Sequence, residues 1–281
     1  MGGSGFARKV LALCARVGMS RQNYYAKRRR RERRELAEEL VVQWVKQERR
    51  LQPRIGTRKL HVMLEGQRRE AGIQLGRDRL FEVLRRHELL VKPKRSEWPC
   101  TTNSRHYLPV FGNLIKEREV SAAHQVWVSD VTYLRTAEGF LYLALITDCW
   151  SRKVVGYHCG ETLGVEGTLK ALEMALEQLP AGAKPIHHSD RGSQYCCHEY
   201  VGRLQARGLS ISMTESDHCA QNALAERVNG IFKGEYGLGQ EFGTKQLCRR
   251  ATIQSIPLYN VRRPHRSLNY RTPEEVHRVG L

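Results

Sequence analysis

Trp127-Val128-Ser129-Asp130-Val131-Thr132-Tyr133 is the stretch on which the reading of this chain turns. Val126, Val128 and Val131 are the apolar positions of a strand predicted over residues 126–133. Asp130 stands in its middle. A carboxylate among valines loses hydration that nothing apolar replaces, so it is costly there unless it binds something. Taken singly, an aspartate in a strand is more often structural, so its companions elsewhere in the chain decide.

Working downstream, Glu138-Gly139 marks a turn, residues 140–148 form a near-continuous apolar strand, and residues 153–159 form a third. Residues 165–179 carry an amphipathic helical pattern. Residues 185–189 read as a short strand, 199–207 as a helix, 209–213 as a fifth strand and 220–234 as a last helix. This order predicts an α/β unit, a mixed five-stranded sheet with flanking helices.

Asp190 lies just past the fourth strand, in His187-His188-Ser189-Asp190-Arg191-Gly192-Ser193-Gln194-Tyr195. Ligand sites in open α/β sheets gather at such strand ends. Glu226 follows Asn222-Ala223-Leu224-Ala225 and shares a helix face with Asn222, four residues earlier. Asp130 and Asp190 are separated by 59 residues, and Asp190 and Glu226 by 35. An aspartate in the first strand, another at the fourth strand and a glutamate on the final helix make three hard oxygen donors. That set suits Mg²⁺, with Mn²⁺ as a substitute. Two such ions about 3.5–4 Å apart serve phosphoryl transfer, one at the attacking oxygen and one at the leaving 3′ oxygen. No single carboxylate carries this reading; their joint placement does.

Upstream the composition changes. Net charge is +18 over 281 residues. Residues 1–100 hold 26 Lys+Arg against 11 Asp+Glu, and the remaining 181 hold 21 against 18. A basic front on a nearly neutral back points to nucleic acid, because each Lys or Arg set on a phosphate releases a counterion. Gly2-Gly3-Ser4-Gly5 reads as a flexible leader. Phe6, Val10, Leu13 and Val17, then Gly18 and a capping Ser20 before Tyr24 and Tyr25, outline a helix-turn-helix. Arg28-Arg29-Arg30-Arg31 and their basic neighbours admit no core stripe, and form either a solvated helix face or linker, or a phosphate-tracking segment. Residues 36–92 read as three helices, the second capped by Thr57 and the third extending to Leu89. Arg54, Arg58, Lys59, Arg77, Arg79, Arg85 and Arg86 on them make a second DNA-binding candidate. The expected division is therefore a basic arm (1–35), a helical DNA-binding domain (36–92), a linker (93–123), a catalytic core (124–240) and a C-terminal extension (241–281).

Other classes are disfavoured. The eight cysteines form no C-x-x-C pair, so a zinc ribbon is not expected, and they read as reduced thiols. No apolar run approaches the roughly 20 residues of a membrane span, so no membrane partner is expected. Ser189 beside a histidine invites a nucleophile reading, but no G-x-S-x-G elbow surrounds it. His188 reads as supporting Asp190 or facing DNA. Gln194 and Tyr195 are candidates for DNA contact, Tyr195 equally for the core, and Trp127 for packing.

Residues 124–273 resemble the catalytic domain of DDE transposases and retroviral integrases. More narrowly, the chain is similar to the downstream-frame product of bacterial insertion sequences in the family founded on insertion sequence three. The stretch around Asp130, Ser151-Arg152-Lys153-Val154-Val155-Gly156, the stretch around Asp190, Asn222-Ala223 with Glu226, and the tail Tyr259-Asn260, Arg263-Pro264-His265, Leu268 and Thr272-Pro273 carry the resemblance. Residues 36–92 resemble the helical domain that precedes the core in the same proteins. The resemblance implies a ribonuclease-H-like core, with Asp130, Asp190 and Glu226 as catalytic metal ligands. It implies cleavage that exposes a 3′-hydroxyl at terminal inverted repeats, then strand transfer to other DNA. It also implies at least a dimer on DNA, an upstream-frame product as a further partner, and a place in the bacterial cytoplasm at the nucleoid. Lys233 stands where the family carries a DNA-contacting basic residue. Arg152, His188, Gln194, Asn222, Arg28–Arg31, Arg54, Arg58 and Lys59 are the other expected DNA contacts. The family usually has aspartate at Gln221 and serine at Arg227. A ribonuclease-H-type nuclease and a non-enzymatic DNA-binding regulator remain as rivals.

Overall fold

The computed structural model describes residues 3–91, 107–215 and 222–280. It divides into two compact units. One comprises residues 1–48 and 64–90, the other residues 49–63 and 91–281.

In the first unit, α1 (Gly3–Arg16) and α2 (Arg21–Leu51) flank a turn at Gly18, whose φ of +62° suits glycine. Ser20 Oγ accepts from Asn23 N at 3.2 Å, the expected cap. Two expectations change. Gly3–Gly5 begin α1 rather than form a leader, since a glycine costs a helix only about 1 kcal/mol where residues beyond continue it. The helix after Ser20 is also not short. It runs 31 residues through the arginine cluster to Leu51, so the boundary expected at residue 35 falls inside one helix. Arg and Glu are good helix formers, and the pairs Arg28–Glu32 (2.9 Å) and Arg31–Glu35 (3.1 Å) stand one turn apart. Glu38 of α2 is buried and accepts from Arg79 and Arg86 of α5 (Arg77–Arg86), tying the two helices together. Leu89 lies beyond α5, because Glu88 turns to φ +56° and Leu89 N bonds back to Leu84 O. Between them stands α4 (Glu65–Glu70).

The second unit is built on a sheet of order β3-β2-β1-β4-β5. The strands are β1 (Val126–Thr136), β2 (Gly139–Asp148), β3 (Val154–Gly160), β4 (Ile186–Ser189) and β5 (Ser210–Met213). A tight turn joins β1 to β2, with Gly139 at φ +105°, and makes that pair antiparallel. α6 (Val165–Glu177) carries the chain across the sheet, so β4 and β5 join β1 in parallel. Side chains alternate across β1. Trp127 and Val131 face a core completed by Ala171, Leu172 and Ala175 of α6 and by Tyr200 and Leu204 of α8 (His198–Ala206). Leu134, with Leu141, Leu143 and Leu145 of β2, faces Val228 and Phe232 of α9 (Ala223–Glu235) and Ile256 and Tyr259 of α10 (Lys245–Arg262). A short α7 (Ser193–Cys196), not expected from the sequence, precedes α8.

Gly156 sets the contact between β3 and α6. A Cβ there would lie 2.1 Å from Ala171 O and 2.9 Å from Ala175 Cβ. Gly156→Ala should therefore push α6 off the sheet and cost about 1–3 kcal/mol. Thermal denaturation reads this as a lower Tm, and an unchanged Tm would contradict such close packing.

Residues 49–63 were expected in the front helical domain but belong with the core. α3 (Thr57–Met63) is preceded by Gly56, whose carbonyl accepts from Lys59 N and Leu60 N, so Thr57 is the first helical residue and not the cap. The later part of the expected linker is also core. Leu108 and Phe111 pack on the α6 side, Ile115 and Val120 on Val126 and Val128, and Met213 N bonds to Gly112 O. Isolated apolar residues in irregular chain have no period to betray them.

The extension beyond residue 240 closes over the turn between β2 and β3. α11 (Pro273–Val279) begins with a capping box from Thr272 and Glu275. Ser151 Oγ donates to buried Asp148 at 2.7 Å and stands 2.9 Å from His277 Nδ1. Burial, opposed by Asp148, lowers the pKa of His277 to about 4. The unfolded chain takes up this proton near pH 6.5 while the folded chain does not, so stability is full above that pH. It should fall as pH drops from 6.5 towards 4, seen as a falling urea midpoint that flattens in His277→Asn. An unchanged slope in that variant would contradict the assignment. Among the described residues six cysteines are free, and no helix is long and apolar enough to cross a membrane.

Candidate active site

β1 and β4 pair in parallel with Val126 opposite Ile186, Trp127 opposite His187 and Val128 opposite His188. The offset is 60 residues, the same as that between Asp130 and Asp190, and the charge of Asp190 acts on the Asp130 carboxyl. Asp190 stands just past the C-terminal end of β4, the kind of strand end at which ligand sites of open α/β sheets gather. Asp190 Oδ1 accepts from Gly192 N at 3.0 Å. Gln194 folds over Gly192 so closely that a Cβ on the glycine would meet its amide at 2.5 Å.

α9 lies across this point. Ala225 packs on Val126 and Val128. Asn222, just ahead of the helix, donates its amide to Ser129 O at 3.0 Å, and Asn229 donates to Asp130 Oδ2 at 2.7 Å. Glu226 lies between them on the same stripe and is exposed. Lys233, one turn beyond Asn229, sets its ammonium 4.4 Å from the Tyr133 ring centre. Asn229 was not anticipated. Its signal was its place three residues after Glu226, on the face that carries Asn222 and Lys233.

The electrostatics tie the groups together. Burial, then Asp190 and more weakly Glu226, raise the Asp130 carboxyl to about 7 against the hydrogen bonds from Asn229 and Val131 N. Burial lowers Lys233 to about 8 although Asp130 opposes the shift. His187, behind β1, stands 2.7 Å from Ser129 Oγ and 2.9 Å from the Tyr200 hydroxyl, and burial lowers it to about 3. It is a neutral brace between β1, β4 and α8, not an exposed base.

Among the described residues, no three His, Cys, Asp or Glu side chains converge at metal-ligating distance. Like charges repel, and here the aspartates turn their oxygens to Asn229 and to backbone amides instead. The donor set nevertheless suits a hard divalent cation. It holds three carboxylates, and the buried amide oxygens of Asn222 and Asn229 have no hydrogen-bond partner among the described residues.

Two models of the integrase core domain match the chain, over residues 120–219 and 207–273. An uncharacterised 31 kDa protein of insertion element IS600 from Shigella sonnei is 37% identical over 265 residues, covering 93% of this chain and 96% of that one. The transposase InsF of insertion sequence IS3A from Escherichia coli K12 is 34% identical over 200 residues, 70% of this chain and 69% of its own. The chain belongs to the IS3 family of transposases. Its five-stranded sheet and flanking helices make up the integrase core domain that the family model matches. The HTLV-2 integrase catalytic core, solved in complex with magnesium, is 20% identical, covers 56% of this chain and 97% of its own, and superposes with a TM-score of 0.45.

The transposase distributes the expected DNA-contacting residues unevenly. His188 is fully buried in β4 with Nδ1 2.8 Å from Ser212 Oγ, so it faces the interior and not DNA. A continuous inner strand leaves its side chain no route to solvent. Asn222 is buried too, and its amide nitrogen holds Ser129 O. Lys59 Nζ is 2.5 Å from Glu235 Oε1, so its charge is engaged within the core. Arg29, Arg30 and Arg58 are exposed, Arg28 and Arg31 are exposed but paired, and Arg54, Arg152 and Gln194 are half-buried. Gln221 lies outside the described residues, and Arg227 is exposed on α9.

Proposed function

We propose that this transposase binds the terminal inverted repeats of its element, exposes a 3′-hydroxyl at each end, and transfers that end to another DNA strand. Asp130, Asp190 and Glu226 hold divalent ions for this, Mg²⁺ by preference with Mn²⁺ accepted. Such a pair of ions supplies positive charge at the attacking oxygen and at the leaving 3′ oxygen. The residues do the rest. Asn229 fixes the Asp130 carboxylate, Asn222 fixes the start of α9 to β1, and the scissile phosphate enters at the C-terminal end of β4. The observation that supports this reading is the β1–β4 register, whose 60-residue offset equals that between Asp130 and Asp190, beside the helix that bears Glu226.

The DNA reading rests on the charge of residues 1–100, with exposed Arg29 and Arg30 on α2 placed to follow a phosphate backbone. Two element ends must be held together, so the working form is at least a dimer, with the upstream-frame product as a further partner. It works at the nucleoid, in the bacterial cytoplasm.

The test is joining of labelled duplexes bearing the element's ends. With Mg²⁺ or Mn²⁺ the chain should yield joined products of higher mass and leave an RNA–DNA hybrid uncut. Cleavage of the hybrid without joining would favour a ribonuclease-H-type nuclease. Binding without any metal-dependent product would favour a regulator.

A further inference from the structure

The hairpin of β1 and β2 has two unlike faces at its far end. On one, Leu134, Leu141 and Leu143 pack with α9 and α10. On the other, Tyr133 stands opposite Tyr142 and Arg135 opposite Phe140, so four side chains form one cross-strand square. Phe140 is 49% exposed and Arg135 is exposed, while Tyr142 is half-buried and Tyr133 buried. The Phe140 ring meets the Tyr133 ring edge-on at 5.6 Å.

A single exposed phenylalanine needs no explanation. This one is tied to the carboxylate centre through successive turns of α9. Asn229 donates to Asp130 Oδ2 at 2.7 Å, and Lys233, one turn further, sets its ammonium 4.4 Å from the Tyr133 ring centre. The charges of Asp130 and Arg135 both act on that ammonium. Tyr133 follows Asp130 by three residues of one strand, a span of about 10 Å. The two side chains emerge on opposite faces of β1, and Lys233 is common to both, meeting the ring of one and feeling the charge of the other. Three aromatic rings and two cations thus gather beside the place where a phosphodiester would react.

We propose that Phe140 and Tyr142, with Tyr133 behind them, form a stacking subsite for a nucleobase that has left the duplex beside the reacting phosphate, with Arg135 and Lys233 at its rim. Inside a duplex each base is covered by its neighbours, and an unpaired base is the one that offers a free ring face. A nucleotide chain spanning Asp130 and the patch turns round the edge of β1, and a base on such a turn is out of the helical stack. The rim cations match the phosphates that accompany the base. Every base has a π-face, so the subsite selects an opened end and not a sequence. This inference rests on the DNA-joining reading above.

The experiment uses the whole chain without divalent ions and two duplexes of one sequence. One ends in unpaired nucleotides that carry a fluorescent purine analogue, whose emission falls when it stacks. The other is paired to its last base and closed by a hairpin. The wild type should bind the unpaired end more tightly and quench its emission. Phe140→Ala should weaken that binding about 5- to 150-fold and restore the emission, with binding of the closed duplex unchanged. Phe140→Leu, which keeps apolar bulk without a ring, should behave like Phe140→Ala, and Phe140→Trp like the wild type. Leu247→Ala, at an exposed apolar position of α10, serves as control and should change neither reading. Melting temperatures confirm that each variant is folded. Wild-type affinity and quenching in folded Phe140→Leu would overturn the subsite, as would an equal loss on both duplexes or an absence of quenching by the wild type. A lost oligomer in sedimentation of Phe140→Leu would overturn it in favour of a protein contact. If the wild type binds neither duplex, the DNA-joining reading itself fails and the subsite falls with it.

Discussion

Asp130→Asn and Asp190→Asn each reduce strand joining at least about a thousandfold while leaving DNA binding near its wild-type level. Asparagine keeps the shape of the side chain, so Asn229 and the β1–β4 register should stay in place. What is lost is negative charge where Asp130 and Asp190 act on one another. Stability should move the other way. The Asp130 carboxylate is disfavoured by burial and by Asp190, so removing its charge relieves repulsion in the metal-free protein. A functional centre bought at the expense of stability behaves like this. Asp130→Asn should therefore melt no lower than wild type without added metal, yet fail to join DNA. A variant that joined normally, or that failed only because it unfolded, would contradict this.

Glu235→Ala should destabilise the core by about 3–5 kcal/mol. Arg263 is only 3% exposed and Lys59 is largely covered, and Glu235 is the counter-ion of both. Burial alone would raise the Glu235 carboxyl, but Arg263 and Lys59 outweigh it and hold the group below its usual range. Removing the carboxylate leaves two buried cations facing each other. The same residue anchors the chain in a second way, since Arg54 N bonds to Glu235 O. The loss should appear in urea denaturation as a lower midpoint. Lys59→Met should cost much less, because the Glu235–Arg263 pair survives. A change under about 1 kcal/mol in Glu235→Ala would show that the pairing is not holding residues 49–63 to the core.

The strands were legible because their apolar runs are short, bounded by turns and broken by one unexpected carboxylate. All five stand within a few residues of their predicted places. Asp130, Asp190 and Glu226 could be picked out from their positions on strand, strand end and helix. What brings the aspartates together could not. The 60-residue offset becomes a distance only when β1 and β4 pair in parallel, and nothing local encodes that pairing. Asn229 was missed because its one signal, a place on the helix face of Asn222, Glu226 and Lys233, gains meaning only when that face meets the Asp130 carboxylate. His188 was misplaced for the converse reason: a polar residue close to a candidate metal ligand looks functional, yet the inner strand buries it against Ser212. The front of the chain was harder. An arginine run without an apolar stripe does not distinguish a linker from the exposed middle of a long helix. The short helix of residues 57–63 has the same pattern whichever core it packs on, and its allegiance is set by Lys59, Glu235 and Tyr236, whose hydroxyl reaches Gln52 nearly two hundred residues upstream. Such pairings are long-range, and periodicity is blind to them.

Glu226 is the member of the trio that the fold constrains least, being exposed on the first turn of α9. The most direct measurement is therefore joining of end-bearing duplexes by Glu226→Gln beside wild type, in Mg²⁺ and in Mn²⁺, with DNA binding recorded in parallel. Glu226→Gln should bind the duplex as wild type does and give no joined product in either metal. Joining at the wild-type rate would show that the third ligand lies elsewhere and that Asp130, Asp190 and Glu226 do not form the catalytic centre.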